Sequence, residues 1–147
     1  MTDHGDYRHV TILMIEDDAG HARLIERNVR RAGVCNEIIH VSDGASALRL
    51  MSDGLPERKA PTLVLLDLNL PDMSGISILE SMKADERLKT IPVIILTTTD
   101  DDREIQRCYQ LGANIYITKP VDYHQFATAI RRLGLFLSVI EVPGPRR

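Results

Sequence analysis

Five residues stand where their types and positions could do chemistry: Glu16 and Asp17 directly after an apolar run, Asp67 at the end of a second, Thr97 at the end of a third and Lys119 behind a fourth. Three of the five are carboxylates, and if they meet they repel. At an effective dielectric near ~20 and a separation of about 4 Å, each pair costs roughly 4 kcal/mol before screening. A cation is then required. Oxygen ligands without nearby His or Cys suit a hard ion in a site that keeps room for water and a phosphate oxygen, which makes Mg²⁺ the leading candidate. A carboxylate beside such an ion and a lysine can attack a phosphoryl group and form an acyl phosphate, because the two cations offset the incoming negative charge. Asp67 as nucleophile, assisted by Lys119 and the metal, fits those roles.

Whether these residues meet depends on the elements that carry them. Residues 10–15 (VTILMI) are short, apolar and β-branched and break off in Glu16-Asp17-Asp18, as a buried strand running into a loop does. Ala22, Leu24, Ile25, Val29 and Ala32 then recur at helical spacing over residues 20–32, with Gly33 placed as the cap. The alternation repeats with a strand at 38–41, a helix at 45–51 and the wholly apolar strand 63–66, which ends at Asp67. Ile76, Leu79 and Met82 mark a third helix, and a strand at 92–96 opens with Pro92, an accepted place for proline. Ile105, Cys108, Tyr109 and Leu111 give a helix stopped at Gly112, followed by a strand at 113–118 and a last helix after Lys119-Pro120. Five strand-then-helix rounds without hairpin signals require right-handed crossovers and a sheet covered on both faces. The predicted fold is a doubly wound α/β domain with a five-stranded parallel sheet. Ligands of such sheets bind beyond the carboxyl ends of the strands, and all five residues lie there.

Composition agrees with one soluble domain, since 147 residues, 44% apolar and 27% charged, can bury a single core. The formal net charge is −3 and no basic run exceeds a pair such as Arg30-Arg31, so direct nucleic-acid binding is not expected. No apolar run reaches membrane length, and residues 1–9 lack the apolar core of a signal peptide, which predicts no membrane contact and a cytoplasmic location. Cys35 and Cys108 belong to no CxxC or Cys/His spacing, and His4, His9, His21, His40 and His124 are scattered; all are read as packing or surface residues. Gly75 and Gly112 are read as backbone devices, because no GxxxxGK or GxGxxG sequence occurs.

The segments LMIEDD (13–18), LVLLDLNLPDMSG (63–75), IPVIILTTTD (91–100) and GANIYITKP (112–120) together resemble the response-regulator receiver family, in order and over nearly the whole chain. The resemblance implies a flavodoxin-like, receiver-type sheet with strand order 2-1-3-4-5. It also implies Asp67 as phosphoacceptor, Asp17 as a direct ligand of Mg²⁺, Glu16 as a ligand acting largely through water, and Asn69 as a ligand through its backbone carbonyl. Thr97 would hydrogen-bond the phosphoryl group, and Lys119 would pair with one of its oxygens. Tyr116 would be the switch aromatic that moves inward when Thr97 shifts, and the Lys119-Pro120 bond would be cis. Two positions depart from the commonest pattern. Glu16 replaces the usual first Asp, lengthening the reach without removing the charge, and Thr98 stands where a smaller residue is frequent, which would narrow access to the phosphoryl group.

Each feature alone has a blander reading. An acidic pair is usually a solvated loop, a strand tyrosine usually packs on a helix, and Thr97, Thr98 and Thr99 are ordinary β-branched strand residues. Rival functions on this fold fare worse. A flavin-binding electron carrier wants a phosphate-cradling loop after the first strand and rings to stack on the flavin, where this chain has carboxylates and no Trp. An aspartyl-phosphate phosphatase typically wants a second acid two residues after the nucleophile, and Asn69 occupies that position. The chain is therefore not expected to be an enzyme beyond its own phosphorylation and dephosphorylation.

The sequence divides into a flexible segment at 1–9, a receiver domain at 10–133 and an apolar extension and tail at 134–147. The final PGPRR is too short for an output module, so output through partners is expected. The connection at 52–61, the segment CYQLGANIYITKPVD (108–122) and the apolar extension resemble the stand-alone regulators of phytochrome-type histidine kinases. That implies a sensor histidine kinase of the bacteriophytochrome type as partner and a place in light signalling. The close alternative is a phosphorelay shuttle that passes the group to a histidine phosphotransfer protein. Residues 133–142 (LGLFLSVIEV) would be apolar on more than one face if the last helix continues, which predicts a two-fold homodimer through the C-terminal region or else an arm folded over its own core.

Overall fold

The structure, a computed structural model, describes residues 11–31, 34, 36–54, 63–98, 101–119 and 123–132. In chain order, β1 is Thr11–Ile15, α1 Ala19–Arg31, β2 Glu37–Val41, α2 Gly44–Asp53 and β3 Leu63–Asp67. Then come α3 at Gly75–Lys83, β4 at Val93–Thr97, α4 at Asp102–Gln110, β5 at Ile115–Thr118 and α5 at Tyr123–Arg132. The strands pair in parallel in the order β2-β1-β3-β4-β5, as the resemblance implies.

Every residue of β1, β3 and β4 is buried, because crossover helices cover both faces of a parallel sheet. The edge strands β2 and β5 are only partly covered. Alternate side chains serve opposite faces. Ile12, Met14, Leu63, Leu65, Ile94 and Leu96 pack with Ala22, Ile25 and Val29 of α1 and Ala129 of α5. Leu13, Ile15, Val64, Leu66, Val93 and Ile95 pack with residues of α2, α3 and α4, among them Met51, Leu79 and Cys108. Each fully buried Leu or Ile contributes about 1.5–3 kcal/mol relative to exposure, and a one-residue slip would exchange the two faces. The register is thereby held. It sets Ile15 opposite Leu66, Asp67 opposite Leu96 and Thr97 opposite Thr118, so the strands finish at one edge. Because β1 lies between β2 and β3, the chain reverses its winding there and a crevice opens beyond the ends of β1 and β3.

Several expected boundaries shift for local reasons. Pro92 precedes β4 instead of opening it, and its carbonyl accepts the N–H of Val64 at 3.0 Å. Residues 113 and 114 stay outside β5, since Asn114 returns to β4 and its Oδ1 accepts the N–H of Val93 at 2.9 Å. Leu24, counted toward the apolar stripe of α1, is 38% exposed, lying about 100° round the helix from Ile25 and farther still from Ala22 and Val29. Tyr109 is 49% exposed, one residue beyond buried Cys108. Gly112 ends α4 with φ of +101°, a conformation that favours glycine. Gly33, Cys35, Pro120 with the peptide bond before it, and the segments 1–9 and 134–147 lie outside the described residues. Among the described residues no helix is long and apolar enough to cross a membrane.

Candidate functional site

The abrupt change from TILMI to Glu16-Asp17-Asp18 ends β1 where its apolar cover stops, and the chain turns into α1 there. Asp18 makes that turn: its Oδ1 accepts the N–H of His21 at 2.9 Å, a helix-capping bond that holds its carboxyl below the usual range. Glu16, by contrast, points inward and is 1% exposed. Its Oε2 accepts the N–H of Asp18 at 3.1 Å, and His40 of β2 hydrogen-bonds its backbone carbonyl at 2.7 Å. Asp17 is exposed at the mouth.

Asp67 closes β3 and is 3% exposed. A side chain at residue 75 would place its Cβ 2.4 Å from the Asp67 carbonyl oxygen, so Gly75 is what lets α3 start this close to the end of β3. The oxygens of Glu16, Asp17 and Asp67 lie within 4.8 Å of one another. Lys119, following β5, reaches into the cluster: its Nζ donates to Glu16 Oε1 at 2.5 Å and to Asp67 Oδ2 at 3.3 Å. Three carboxylates against one ammonium leave a formal excess of two negative charges, which a divalent cation would balance. The donor set is oxygen only, so it fits the hard ion expected from the sequence.

Burial is the main reason the Asp67 carboxyl is pushed up from 3.8 to about 6; the Glu16 carboxylate adds to the rise, whereas the Asn69 N–H and Lys119 oppose it. That N–H donates to Asp67 Oδ1 at 3.1 Å. Asn69 is exposed, and an isolated bridge to Ser74 fixes its backbone at the base of the loop. Thr97 is fully buried at the end of β4, its carbonyl accepting the N–H of Lys119 at 2.7 Å, while Thr98 is exposed. Tyr116 is half-buried on β5 and packs against the core face that holds α2, α3 and α4; its ring lies 6.5 Å from that of Tyr109. The structure thus brings Glu16, Asp17, Asp67 and Lys119 together, puts Asn69 beside Asp67, ends β4 at Thr97, and leaves Tyr116 one strand position from Ile117 and two from Thr118.

His21 belongs to this site, although the sequence reading gave it no role. Its Nδ1 is 3.3 Å from Lys119 Nζ and 3.8 Å from Glu16 Oε2. The available signal was its position one helical turn after Asp17, since helical side chains lean toward the N-terminus and so back over the strand end. His40 gave no such signal, because its contact depends on the pairing of β2 with β1.

Residues 12–131 match the family described as "Response regulator receiver domain". The chain belongs to the response-regulator receiver family. A response regulator receiver domain from Rhodospirillum rubrum is similar at 62% identity and a TM-score of 0.71, covering 91% of this chain and 97% of that one. The bacteriophytochrome response regulator RtBRR is similar at 36% identity and a TM-score of 0.81, covering 92% and 84%. The probable methanogenesis regulatory protein FilR2 of Methanothrix harundinacea is 37% identical over 91% of this chain and 88% of its own length. A receiver domain is a component of two-component signalling, and here its acidic pocket is the cluster of Glu16, Asp17 and Asp67.

Proposed function

We propose that this receiver accepts a phosphoryl group from a histidine kinase on Asp67, with Mg²⁺ held by Glu16, Asp17, Asp67 and the carbonyl of Asn69. The observation that carries this reading is a nucleophile at the strand-end crevice with two further carboxylates within 4.8 Å and a lysine 3.3 Å away. An Asp67 oxygen attacks the phosphorus of the donor phosphohistidine, an O–P bond forms as the N–P bond breaks, and the leaving imidazole takes its proton from solvent. Lys119 shifts its charge from Asp67 toward the incoming phosphoryl oxygens, and the Thr97 hydroxyl donates to one of them. The cation, when bound, supplies the remaining charge neutralisation.

The similarity to RtBRR supports a phytochrome-type kinase and a light-signalling role, and the reading includes a cytoplasmic location and no turnover of external substrates. The test is labelling by acetyl phosphate and by autophosphorylated kinases of the source genome, read by intact mass. Label should require Mg²⁺ and be absent from Asp67→Asn. The same modification in that variant would move the nucleophile elsewhere. A light-regulated bacteriophytochrome kinase should be the fastest donor; rapid onward transfer to a histidine phosphotransfer protein would instead make the chain a relay shuttle.

A further inference from the structure

The loop that leaves Asp67 is attached at two places. At its base, Asn69 bridges Ser74 and the N–H of Gly75 donates to the Leu68 carbonyl at 2.8 Å. At its tip, Asp72 reaches α2, an element 27 and 28 residues away in sequence at its contact points, and uses both carboxylate oxygens: Oδ1 accepts the N–H of Gly44 at 2.8 Å and Oδ2 that of Ala45 at 2.9 Å. Helix α2 already has its own cap, because Asp43 accepts the N–H of Ser46 at 2.6 Å. Asp72 takes the two donors that Asp43 leaves. Met73 lies beside it, so close that a Cβ on Gly44 would be 2.4 Å from Met73 Cγ. The two N–H bonds also hold the Asp72 carboxyl below the usual carboxylate range.

A charged clip on a helix start could be only a cap. It differs from one in where its other end leads: three residues before Asp72 is Asn69, whose N–H holds Asp67 and whose carbonyl is a ligand in the reading above. We propose that Asp72 is a positioning residue that clips the 68–74 loop to the first turn of α2, so that cation affinity at the acidic cluster and the order of that turn are coupled. The proposal rests on the metal reading of the preceding section. With the clip in place, the Asn69 carbonyl is held relative to Glu16 and Asp17 before an ion arrives; without it, the ion must order the loop tip as it binds. Coupling of this kind is reciprocal, so an ion on the cluster tightens Asp72 on α2 by the same factor.

The test is a Mg²⁺ titration at constant ionic strength, followed by backbone amide shifts well below the melting temperature, on the wild type, Asp72→Ala and Asp72→Asn. Asp72→Ala should weaken Mg²⁺ binding about tenfold, the lower end for residues that orient a ligand from behind. Asp72→Asn should lose less, since its one oxygen keeps one N–H while its amide group opposes the other. In addition, Mg²⁺ should slow exchange of the Ser46 amide, which keeps its bond to Asp43 in every variant, in the wild type and not in Asp72→Ala. Unchanged Mg²⁺ affinity in both variants, even with a lowered melting temperature, would reduce Asp72 to a helix cap and overturn the clip. Should Asp72→Ala fail to fold, the isosteric Asp72→Asn decides alone. A wild type that binds no Mg²⁺ removes the metal reading and the clip with it, an outcome distinct from the first.

Discussion

Replacing Asp67 with Asn tests the electrostatics of the site when no metal is added. In the folded chain burial raises this carboxyl from 3.8 to about 6, whereas in the unfolded chain it titrates near 3.8. Folding therefore favours the protonated form. Stability is undiminished by this group below about pH 4, falls as pH rises from about 4 to 6, and is reduced by a constant amount above that. A shift of about two units corresponds to roughly 3 kcal/mol as an upper limit. Asp17 leaves the mouth open to water and counterions, which screen part of the penalty, so about 1–2 kcal/mol is expected. Asp67→Asn removes the charge at constant shape, and Lys119 keeps its bond of 2.5 Å to Glu16. Urea unfolding in EDTA should find the variant more stable than the wild type by about 1–2 kcal/mol near pH 7.5 and by less than half of that near pH 4. Titration of groups outside the cluster largely cancels in the difference. A variant less stable than the wild type near pH 7.5, or an advantage of the same size at both pH values, would refute the claim that Lys119 and the Asn69 N–H leave the buried charge of Asp67 incompletely compensated.

Mg²⁺ should raise the melting temperature of the wild type, and at about ten times its dissociation constant it adds about 1.4 kcal/mol; Asp17→Asn should remove most of that response, and a flat wild-type titration would contradict the metal assignment. Gly75→Ala places a Cβ 2.4 Å from the Asp67 carbonyl oxygen and 2.8 Å from Leu68 Cα, both backbone atoms that cannot swing away, so it should cost about 1–3 kcal/mol in denaturant unfolding and slow acetyl-phosphate labelling. An Ala variant as stable as the wild type would show that α3 can retreat. Light scattering at micromolar concentration should show a dimer, and charged residues in place of Phe136 and Leu137 should give a folded monomer that still takes label on Asp67; a monomeric wild type would favour the self-covering arm.

The order of elements was readable because β3 and β4 are short runs in which every residue is apolar up to the last, and β1 is apolar after Thr11. LVLLD and VIILT can be buried on both faces only between two layers of helices, and five such rounds leave one architecture. Boundaries were less readable where a side chain competes with the ladder. Asn114 bonds Val93 from outside β5, and nothing in the apolar count from 113 to 118 separates a residue in the strand from one hydrogen-bonded beside it. Leu24 misled for a different reason: a two-residue apolar step, Leu24-Ile25, fits a helix stripe at only one of its members.

The site divides along the same line. Glu16, Asp17, Asp67, Thr97 and Lys119 were legible because in a parallel sheet the residues that close or follow each strand are delivered to one edge whatever the rest of the chain does. Local patterns and the strand order suffice to place them. The contacts of His21 with Lys119, His40 with the Glu16 carbonyl and Asp72 with α2 are set instead by distances between elements, through the pitch of α1, the pairing of β2 on β1 and the reach of a loop past β1. None follows from periodicity. Yet these contacts decide how the strand-end residues are held. Substitution at position 21, 40 or 72 of this chain should therefore alter how the carboxylates and the lysine are held without altering which groups are present.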